Sequence, residues 1–288
     1  MSVCWINGKF VPREDASISI FDHGVLYGDG IFEGIRFYQR KAFLLEAHLT
    51  RLAQSAAVLQ LTLPYCLEDI QQAIEESIKR SSTDHGYLRI VVTRGEGSLG
   101  IDPTSCLKAN MFIIGEQLTV VNSSANEAGI RVIISSWRRI PNDSLDSRIK
   151  SLNYLNQILA RLDAKNANAD EAILLNHAGF VTEASVENIF IVKNKILMTP
   201  PAIDGALDGV TRKLILDLAH QLGIHASEKS MTPYDLYTSD ECFLTGTGSE
   251  LVPVKSVDGR SIQHCPGPIF KQLQNAFHQI TYGEINND

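Results

Sequence analysis

An extended segment passes into a predicted amphipathic helix within the stretch Asp146-Ser147-Arg148-Ile149-Lys150-Ser151-Leu152-Asn153-Tyr154-Leu155-Asn156. Lys150 lies at this junction. A lysine held at the start of a helix, partly out of water and beside another cation, can lose its proton near neutral pH and condense with an aldehyde. Taken alone, Lys150 is more often a solvated surface lysine. Its interpretation therefore depends on the rest of the chain.

The composition is that of a globular protein. The chain has 288 residues, of which 44% are hydrophobic, enough for one large domain or two ordinary ones. Its formal net charge of -7 argues against a nucleic-acid surface and against a basic membrane-binding face. The sequence has no stretch of eighteen apolar residues and no charged leader followed by an apolar run, so we expect a cytoplasmic protein.

Metal and disulfide sites have little support. The five cysteines are widely scattered and none forms a C-x-x-C pair, so we interpret them as reduced. The eight histidines include no H-E-x-x-H and no zinc-type pairing with cysteine. We therefore expect no metal.

The first half of the chain predicts α+β structure. Asn7-Gly8 lies between two apolar runs, which is the strongest short signal for a hairpin. Apolar residues recur at helical spacing over 45–59 and 70–78. β-Branched and apolar residues predict strands over 87–93 and 110–114.

The second half mixes strands and helices. The predicted strands cover 130–135, 171–175, 188–192 and 241–244, and the predicted helices cover 152–164, 211–222 and 268–280. Tight turns at 177–179 and 193–195 favour antiparallel hairpins over a regular βαβ alternation. A polar segment of small residues separates the halves. We predict a small domain over 1–117, a linker over 118–129 and a larger domain over 130–288.

One glycine motif is misleading. Gly95-Glu96-Gly97-Ser98-Leu99-Gly100 matches the dinucleotide-binding pattern and follows a predicted strand. Such a site needs the loop to open a helix, whereas Ile101-Asp102-Pro103-Thr104 leads through a loop into another strand. A glycine-rich active-site loop is the better interpretation.

Three further features are candidates for ligand binding. Arg51 occupies a polar position beside the leucine stripe of the first helix, and Val210 and Thr211 open another helix with their N–H groups at its positive end. Together, a guanidinium and a helix N-terminus would hold a phosphate dianion. Glu183 follows a hairpin turn, where a carboxylate could bond a ring nitrogen and keep it protonated. Each also has an ordinary interpretation, as an exposed arginine, a capped helix end and a solvated glutamate.

In this order, the pieces resemble the class IV (fold type IV) pyridoxal-phosphate enzymes, most closely the branched-chain amino acid aminotransferases. The resemblance is carried by Trp5-Ile6-Asn7-Gly8, Asp22-His23-Gly24-Val25-Leu26-Tyr27-Gly28-Asp29-Gly30-Ile31-Phe32-Glu33-Gly34-Ile35-Arg36, Arg51, Tyr87-Leu88-Arg89, Lys150 with Asn153-Tyr154, Glu183 with Asn188-Ile189-Phe190, Gly209-Val210-Thr211-Arg212 and Thr245-Gly246-Thr247-Gly248-Ser249-Glu250. It implies an α+β, two-domain fold, with a small N-terminal α/β domain, a larger domain of mixed, largely antiparallel strands, and the cofactor at their interface.

The resemblance also implies roles for the cofactor-binding residues. Lys150 would form a Schiff base with pyridoxal phosphate and then act as the general base of a ping-pong cycle. Glu183 would pair with the pyridine nitrogen, and Tyr154 would bond the ring hydroxyl. The phosphate would be held by Arg51, Val210, Thr211 and Thr247.

For the substrates, branched-chain amino acids and 2-oxo acids, three groups of residues follow from the same resemblance. The apolar side-chain pocket would be lined by Tyr27, Phe32 and Gly34, although aromatic residues equally suit a core. The distal carboxylate of glutamate would contact Arg89 and Arg36. The α-carboxylate of the substrate would contact Tyr87, Thr247 and Gly248. Leu99 and Ile101 would close the pocket from the neighbouring subunit of a homodimer or larger homo-oligomer.

The chain departs from the family pattern at three positions. Ala184 and Val186 replace glycines near the glutamate, and Gly248 replaces a common alanine. Sister activities on the same scaffold are D-amino acid transamination, (R)-amine transamination and aminodeoxychorismate lyase. A non-catalytic ligand-binding module is the alternative from another class.

Overall fold

A computed structural model of this protein describes residues 3–116 and 128–283. Contacts divide these residues into two compact units. The first contains residues 3–116 together with Ile149–Asn153, and the second contains residues 128–148 and 154–283. Apart from its last two residues, the proposed linker over 118–129 lies outside the described residues. The domain bounds 1–117, 118–129 and 130–288 stay a prediction.

Six strands form the sheet in the described part of the first unit. They are β1 (Val3–Ile6), β2 (Lys9–Val11), β3 (Gly30–Tyr38), β4 (Lys41–Ala42), β5 (Gly86–Thr93) and β6 (Asn110–Glu116), in the spatial order β2-β1-β6-β5-β3-β4. All neighbours are antiparallel. The predicted hairpin at Asn7-Gly8 is confirmed, since both residues have positive φ, 48° and 93°.

The helices of the first unit are α1 (His23–Tyr27), α2 (Leu45–Val58) and α3 (Leu67–Lys79), and short 3-10 turns occur at Arg13–Asp15 and Pro103–Ser105. Of these, α2 and α3 pack against one face of the sheet. The core joins Ile31 and Ile35 of β3 to Leu49 and Leu52 of α2 and to Ile74 of α3. Because side chains alternate along a strand, the odd-numbered residues of β3 face α2 and the even-numbered ones face away.

The sheet of the second unit is mixed. Its strands are β7 (Ile130–Arg138), β8 (Glu171–Leu175), β9 (Val181–Ala184), β10 (Asn188–Lys193), β11 (Ile196–Thr199), β12 (Ala226–Glu228), β13 (Glu241–Gly246), β14 (Glu250–Val257) and β15 (Arg260–Ser261). The order is β12-β11-β10-β13-β14-β7-β8-β9, with β15 beside β14. The pairs β7–β8, β7–β14 and β11–β12 are parallel and the others antiparallel. The prediction of mixed, largely antiparallel strands is confirmed.

The helices of the second unit are α4 (Leu155–Asn166), α5 (Val210–Gln221), α6 (Pro233–Tyr237) and α7 (Pro268–Tyr282), with a 3-10 turn at Ala202–Asp204. The predicted start of α4 at Leu152 is wrong by three residues. The N–H of Leu152 donates to the carbonyl of Gly30 at 2.9 Å, so this part of the chain stays extended. None of the helices in the described residues is long and apolar enough to cross a membrane.

Candidate active site

Lys150 lies on the extended segment Ile149–Asn153, which pairs with the beginning of β3 in the first unit. Its carbonyl accepts a hydrogen bond from the N–H of Phe32 at 3.0 Å, and its own N–H donates to Ser55 Oγ of α2 at 3.2 Å. The Nζ atom lies 4.5 Å from the centre of the Phe32 ring. The backbone of Lys150 is thus fixed at both ends while its amine points over an aromatic face.

Five of the residues predicted to bind substrate lie on the face of β3 and β5 that turns away from α2. Phe32, Gly34 and Arg36 alternate along this face. In the pairing with β5, Gly34 lies opposite Arg89 and Arg36 opposite Tyr87. The Arg89 guanidinium carbon is 4.6 Å from the centre of the Phe32 ring. We call these five residues the substrate face. Lys150 is next to this face, because its amine contacts the Phe32 ring.

Gly34 makes room for Tyr87 on this face. A Cβ atom at position 34 would lie 2.1 Å from the Tyr87 hydroxyl oxygen, which is far inside van der Waals contact. Glycine is therefore needed for the phenol of Tyr87 to lie across β3. The role of Gly34 as a pocket residue stays a prediction.

The opposite side of β3 carries a buried ionic cluster. Glu33 Oε1 and Oε2 accept hydrogen bonds from Arg51 Nε and Nη2 at 2.7 and 2.8 Å, and His48 Nδ1 is 2.8 Å from Oε2. Burial by itself raises the pKa of Glu33, but the charge and hydrogen bonds of Arg51, helped by His48, override it and lower that pKa to about 2. Glu33 therefore orients Arg51, whose contact with a phosphate stays a prediction.

Tyr27 is the last residue of α1. Its hydroxyl oxygen accepts a hydrogen bond from the N–H of Gly100 at 2.9 Å, and its ring packs edge-on against His23 at 4.9 Å between centroids. His23 Nε2 is 3.0 Å from the carbonyl oxygen of Ser98. These contacts hold the loop that contains Leu99 and Ile101, which are 76% and 86% exposed.

The same loop contains the glycine motif at 95–100. It is followed by the 3-10 turn Pro103–Ser105 and then by β6, with no α-helix between them in this described stretch. The prediction that the motif opens no helix is confirmed, and with it the reason for excluding a dinucleotide site of that kind.

In the second unit, Glu183 is buried on β9 and is held from two sides. Its Oε1 is 3.0 Å from Arg139 Nη2, and its Oε2 accepts a hydrogen bond from the N–H of Leu207 at 2.8 Å. Arg139 is itself oriented by donating to the carbonyl of Gly205 at 3.0 Å. A fixed, ion-paired carboxylate can bind a protonated ring nitrogen, whereas a solvated loop glutamate would lose conformational entropy in doing so.

The N-terminus of α5 is open to an anion. Its N-cap residue is Gly209, whose lack of a side chain leaves the first N–H groups uncapped, and the first turn contains no acidic residue. A Cβ atom at position 209 would lie 2.0 Å from Asn188 Oδ1, so the close approach of β10 requires glycine there. The backbone N–H groups of Val210 and Thr211 lie in this uncapped first turn, and their contact with a phosphate stays a prediction.

Thr247 and Gly248 form the tight turn between β13 and β14 and are half-buried. Ser249 Oγ, next in the chain, is buried without a hydrogen-bond partner among the described residues. Tyr154 lies at the N-cap position of α4. Of the two departures near Glu183, Ala184 is buried in the core, whereas Val186 is 61% exposed.

The sequence analysis did not predict the residues that orient Arg51 and Glu183. No local pattern pairs Arg139 with Glu183, because the two residues are far apart in the chain. His48 and Arg51 are three residues apart and share one face of α2, which could have suggested a common partner. No group of acidic, histidine or cysteine side chains within the described residues is arranged to hold a metal ion.

A family model described as amino-transferase class IV matches residues 30–257. The chain belongs to this family. A putative branched-chain-amino-acid aminotransferase of Methanocaldococcus jannaschii is 46% identical over 277 residues, covering 96% of this chain and 95% of that protein.

Solved structures agree with this family assignment. The branched-chain amino acid aminotransferase of Escherichia coli is 31% identical with a TM-score of 0.94, covering 99% of this chain and 96% of its own. A branched-chain amino acid aminotransferase from Thermobaculum terrenum, solved in its PLP form, is 29% identical with a TM-score of 0.87, covering 98% of this chain and 94% of its own. Both structures share the fold of this chain over nearly its whole length.

Proposed function

We propose that this chain is a branched-chain amino acid aminotransferase, which moves the amino group between leucine, isoleucine or valine and 2-oxoglutarate. The observation that carries this proposal is the Lys150 amine, 4.5 Å from the centre of the Phe32 ring at the edge of the substrate face. The full-length relatives with this activity support it.

The residues present fit pyridoxal phosphate. The uncapped, acid-free N-terminus of α5 suits a phosphate dianion, and the buried, ion-paired carboxylate of Glu183 suits a pyridinium nitrogen. Arg51 and Thr247 would complete the phosphate contacts, and Tyr154 would bond the ring hydroxyl. When bound, the cofactor supplies an aldehyde for amine condensation and a ring that withdraws electrons from the substrate Cα.

Lys150 moves the proton. With the cofactor bound, the Lys150 amine would accept the proton from the substrate Cα and return it later in the half-reaction, as a general base and then a general acid. When Nζ is protonated, the face of Phe32 stabilises the cation. The backbone hydrogen bonds with Phe32 and Ser55 keep the amine in place through both halves of the cycle.

The substrate face suits two kinds of side chain. Phe32 offers apolar surface to a branched aliphatic group, while Arg89 and Arg36 offer positive charge to the distal carboxylate of 2-oxoglutarate. Tyr87, with its hydroxyl over Gly34, would donate to the α-carboxylate. A face that combines apolar contact with cations explains why one pocket would accept both partners of the reaction.

A homodimer and a cytoplasmic location complete the proposal. Leu99 and Ile101 are large apolar residues on an exposed loop, which suits a role at a subunit boundary. The cysteines of the described residues form no disulfide, which fits a reducing compartment. Light scattering coupled to gel filtration measures the oligomeric state, and a monomer at micromolar concentration would contradict the dimer.

Borohydride reduction of the holo-protein tests the lysine assignment. After proteolysis, the reduced cofactor label should be on the peptide containing Lys150. Lys150→Ala should lose transamination, and Lys165→Ala, at an exposed position on α4, should keep it. A label on another peptide, or turnover by Lys150→Ala, would overturn the mechanism. A protein that stays colourless with added pyridoxal phosphate would favour the non-catalytic module.

The donor preference needs a separate panel. L-Leucine, L-isoleucine, L-valine, D-alanine and an (R)-arylethylamine are compared with 2-oxoglutarate as acceptor. We expect the three branched L-amino acids to dominate. Dominance of D-alanine or of the amine, or release of pyruvate from aminodeoxychorismate, would assign the chain to a sister activity.

A further inference from the structure

Two carboxyl groups of the second unit, Glu171 and Glu187, are not used by the function above. Glu171 begins β8, is buried, and has Oε2 2.9 Å from Arg161 Nη1 of α4. Its other oxygen accepts a hydrogen bond from the N–H of Ala172 at 2.7 Å. Glu187 lies between β9 and β10, and its Oε2 is buried without a hydrogen-bond partner among the described residues.

The surroundings of Glu187 favour its neutral form. Burial raises its pKa most, the negative charge of Glu171 raises it further, and Arg161 lowers it only in part, so the pKa is raised to about 8. Glu171 has the better position beside the guanidinium of Arg161, and Glu187 is therefore the carboxyl group that stays neutral.

The Glu187 side chain packs against the turn at residues 246–249, which we call the carboxylate turn. Asn188 pairs with Thr245 across β10 and β13, which puts Glu187 next to Gly246. A Cβ atom at position 246 would lie 3.3 Å from Glu187 Cγ and 3.1 Å from Ser249 Oγ. Glu187 thus packs beside Gly246, the first residue of the turn that also contains Thr247 and Gly248.

We propose that Glu187 is a positioning residue, which supports the carboxylate turn as a neutral acid and so lets the turn bind the anionic α-carboxylate of the substrate. This inference rests on the proposed function, in which Thr247 and Gly248 meet that carboxylate. An ionised Glu187 would put a second negative charge beneath the same turn, and two like charges in a partly desolvated site repel strongly.

The charged groups around Glu187 come from three elements. Arg161 comes from α4 and Glu171 from β8. Glu250 begins β14 opposite Gly246, but its carboxylate accepts a hydrogen bond from Tyr282 at 2.9 Å and lies 3.7 Å from His278 Nε2. Tyr282 and His278 of α7 thus hold the Glu250 carboxylate, and the charges that shift the pKa of Glu187 are those of Glu171 and Arg161.

The test measures binding of 4-methylpentanoate, the deaminated analogue of leucine, whose only titratable group is a carboxylate that stays ionised above neutral pH. Its Kd for the holo-protein is measured by calorimetry between about pH 6.5 and pH 9.5. For the wild type we expect binding to weaken by about tenfold as Glu187 ionises. Glu187→Gln should remove this loss, because the amide keeps the shape and stays neutral.

Glu171→Gln is the matched variant. This substitution removes the negative charge of Glu171 and keeps the positive charge of Arg161, so the pKa of Glu187 should fall. The loss of binding should therefore occur at lower pH. A pH dependence that Glu187→Gln leaves unchanged, or a wild-type Kd that does not change with pH, would overturn the inference. If Glu187→Gln fails to fold, the Glu171→Gln variant decides: a pH dependence of its Kd equal to that of the wild type would also overturn the inference. Absence of binding even at pH 6.5 would count against the proposed function instead.

Discussion

Replacing Glu33 by glutamine should destabilise the protein by an amount that depends on pH. The carboxylate is fully buried and held by Arg51 and His48. Its pKa is lowered from 4.5 to about 2 in the folded chain, so its stabilising effect is complete above pH 4.5 and is lost as the pH falls towards 2. Because glutamine has the shape of the neutral acid, Glu33→Gln should cost about 3 kcal/mol near pH 7 and about 2 kcal/mol near pH 3.5.

Urea unfolding of both proteins without cofactor, at the two pH values, measures these free energies. Glu76→Gln is the control, since the Glu76 pair with Lys79 is exposed and should contribute little. The reasoning is refuted if Glu33→Gln costs less than about 1 kcal/mol near pH 7, where breaking a buried ion pair ought to be strongly destabilising. An equal cost at both pH values would show that the carboxylate charge is not the cause.

Three further predictions concern the site. Gly34→Ala should raise the KM of both amino acid and 2-oxo acid by about tenfold or more, because the methyl group displaces the Tyr87 hydroxyl. Steady-state kinetics, with Tyr87→Phe as the comparison variant, measure this change, and an unchanged KM would contradict the prediction. Tyr27→Phe should release the N–H of Gly100 and lower kcat/KM for leucine without changing the cofactor absorbance. Hydrogen exchange measures the release of this amide, and an exchange rate as slow as in the wild type would contradict the prediction. Glu183→Gln should lower kcat by about a hundredfold or more while pyridoxal phosphate still binds, since a neutral amide cannot hold the ring nitrogen protonated; single-turnover absorbance measurements check this, and a wild-type rate would refute it.

Short-range patterns predicted much of the fold. Asn7-Gly8 specified the first hairpin because both residues tolerate positive φ, and the apolar spacing over 45–59 specified α2. β3 was not anticipated. All nine of its residues are buried, so the alternation that identifies a half-exposed strand is missing. The start of α4 was misplaced because Leu152 bonds to Gly30, which is far away in the chain.

The sequence by itself determined the family and made Lys150 the predicted reactive lysine, because local motifs and their order are written in consecutive residues. Only the tertiary structure decided how the charges are arranged. Glu33 with Arg51, Glu183 with Arg139, and Glu187 with Glu171 are pairs whose members are separated along the chain. Burial and the distance between such groups set their charge, and both are properties of the folded chain that no local pattern contains.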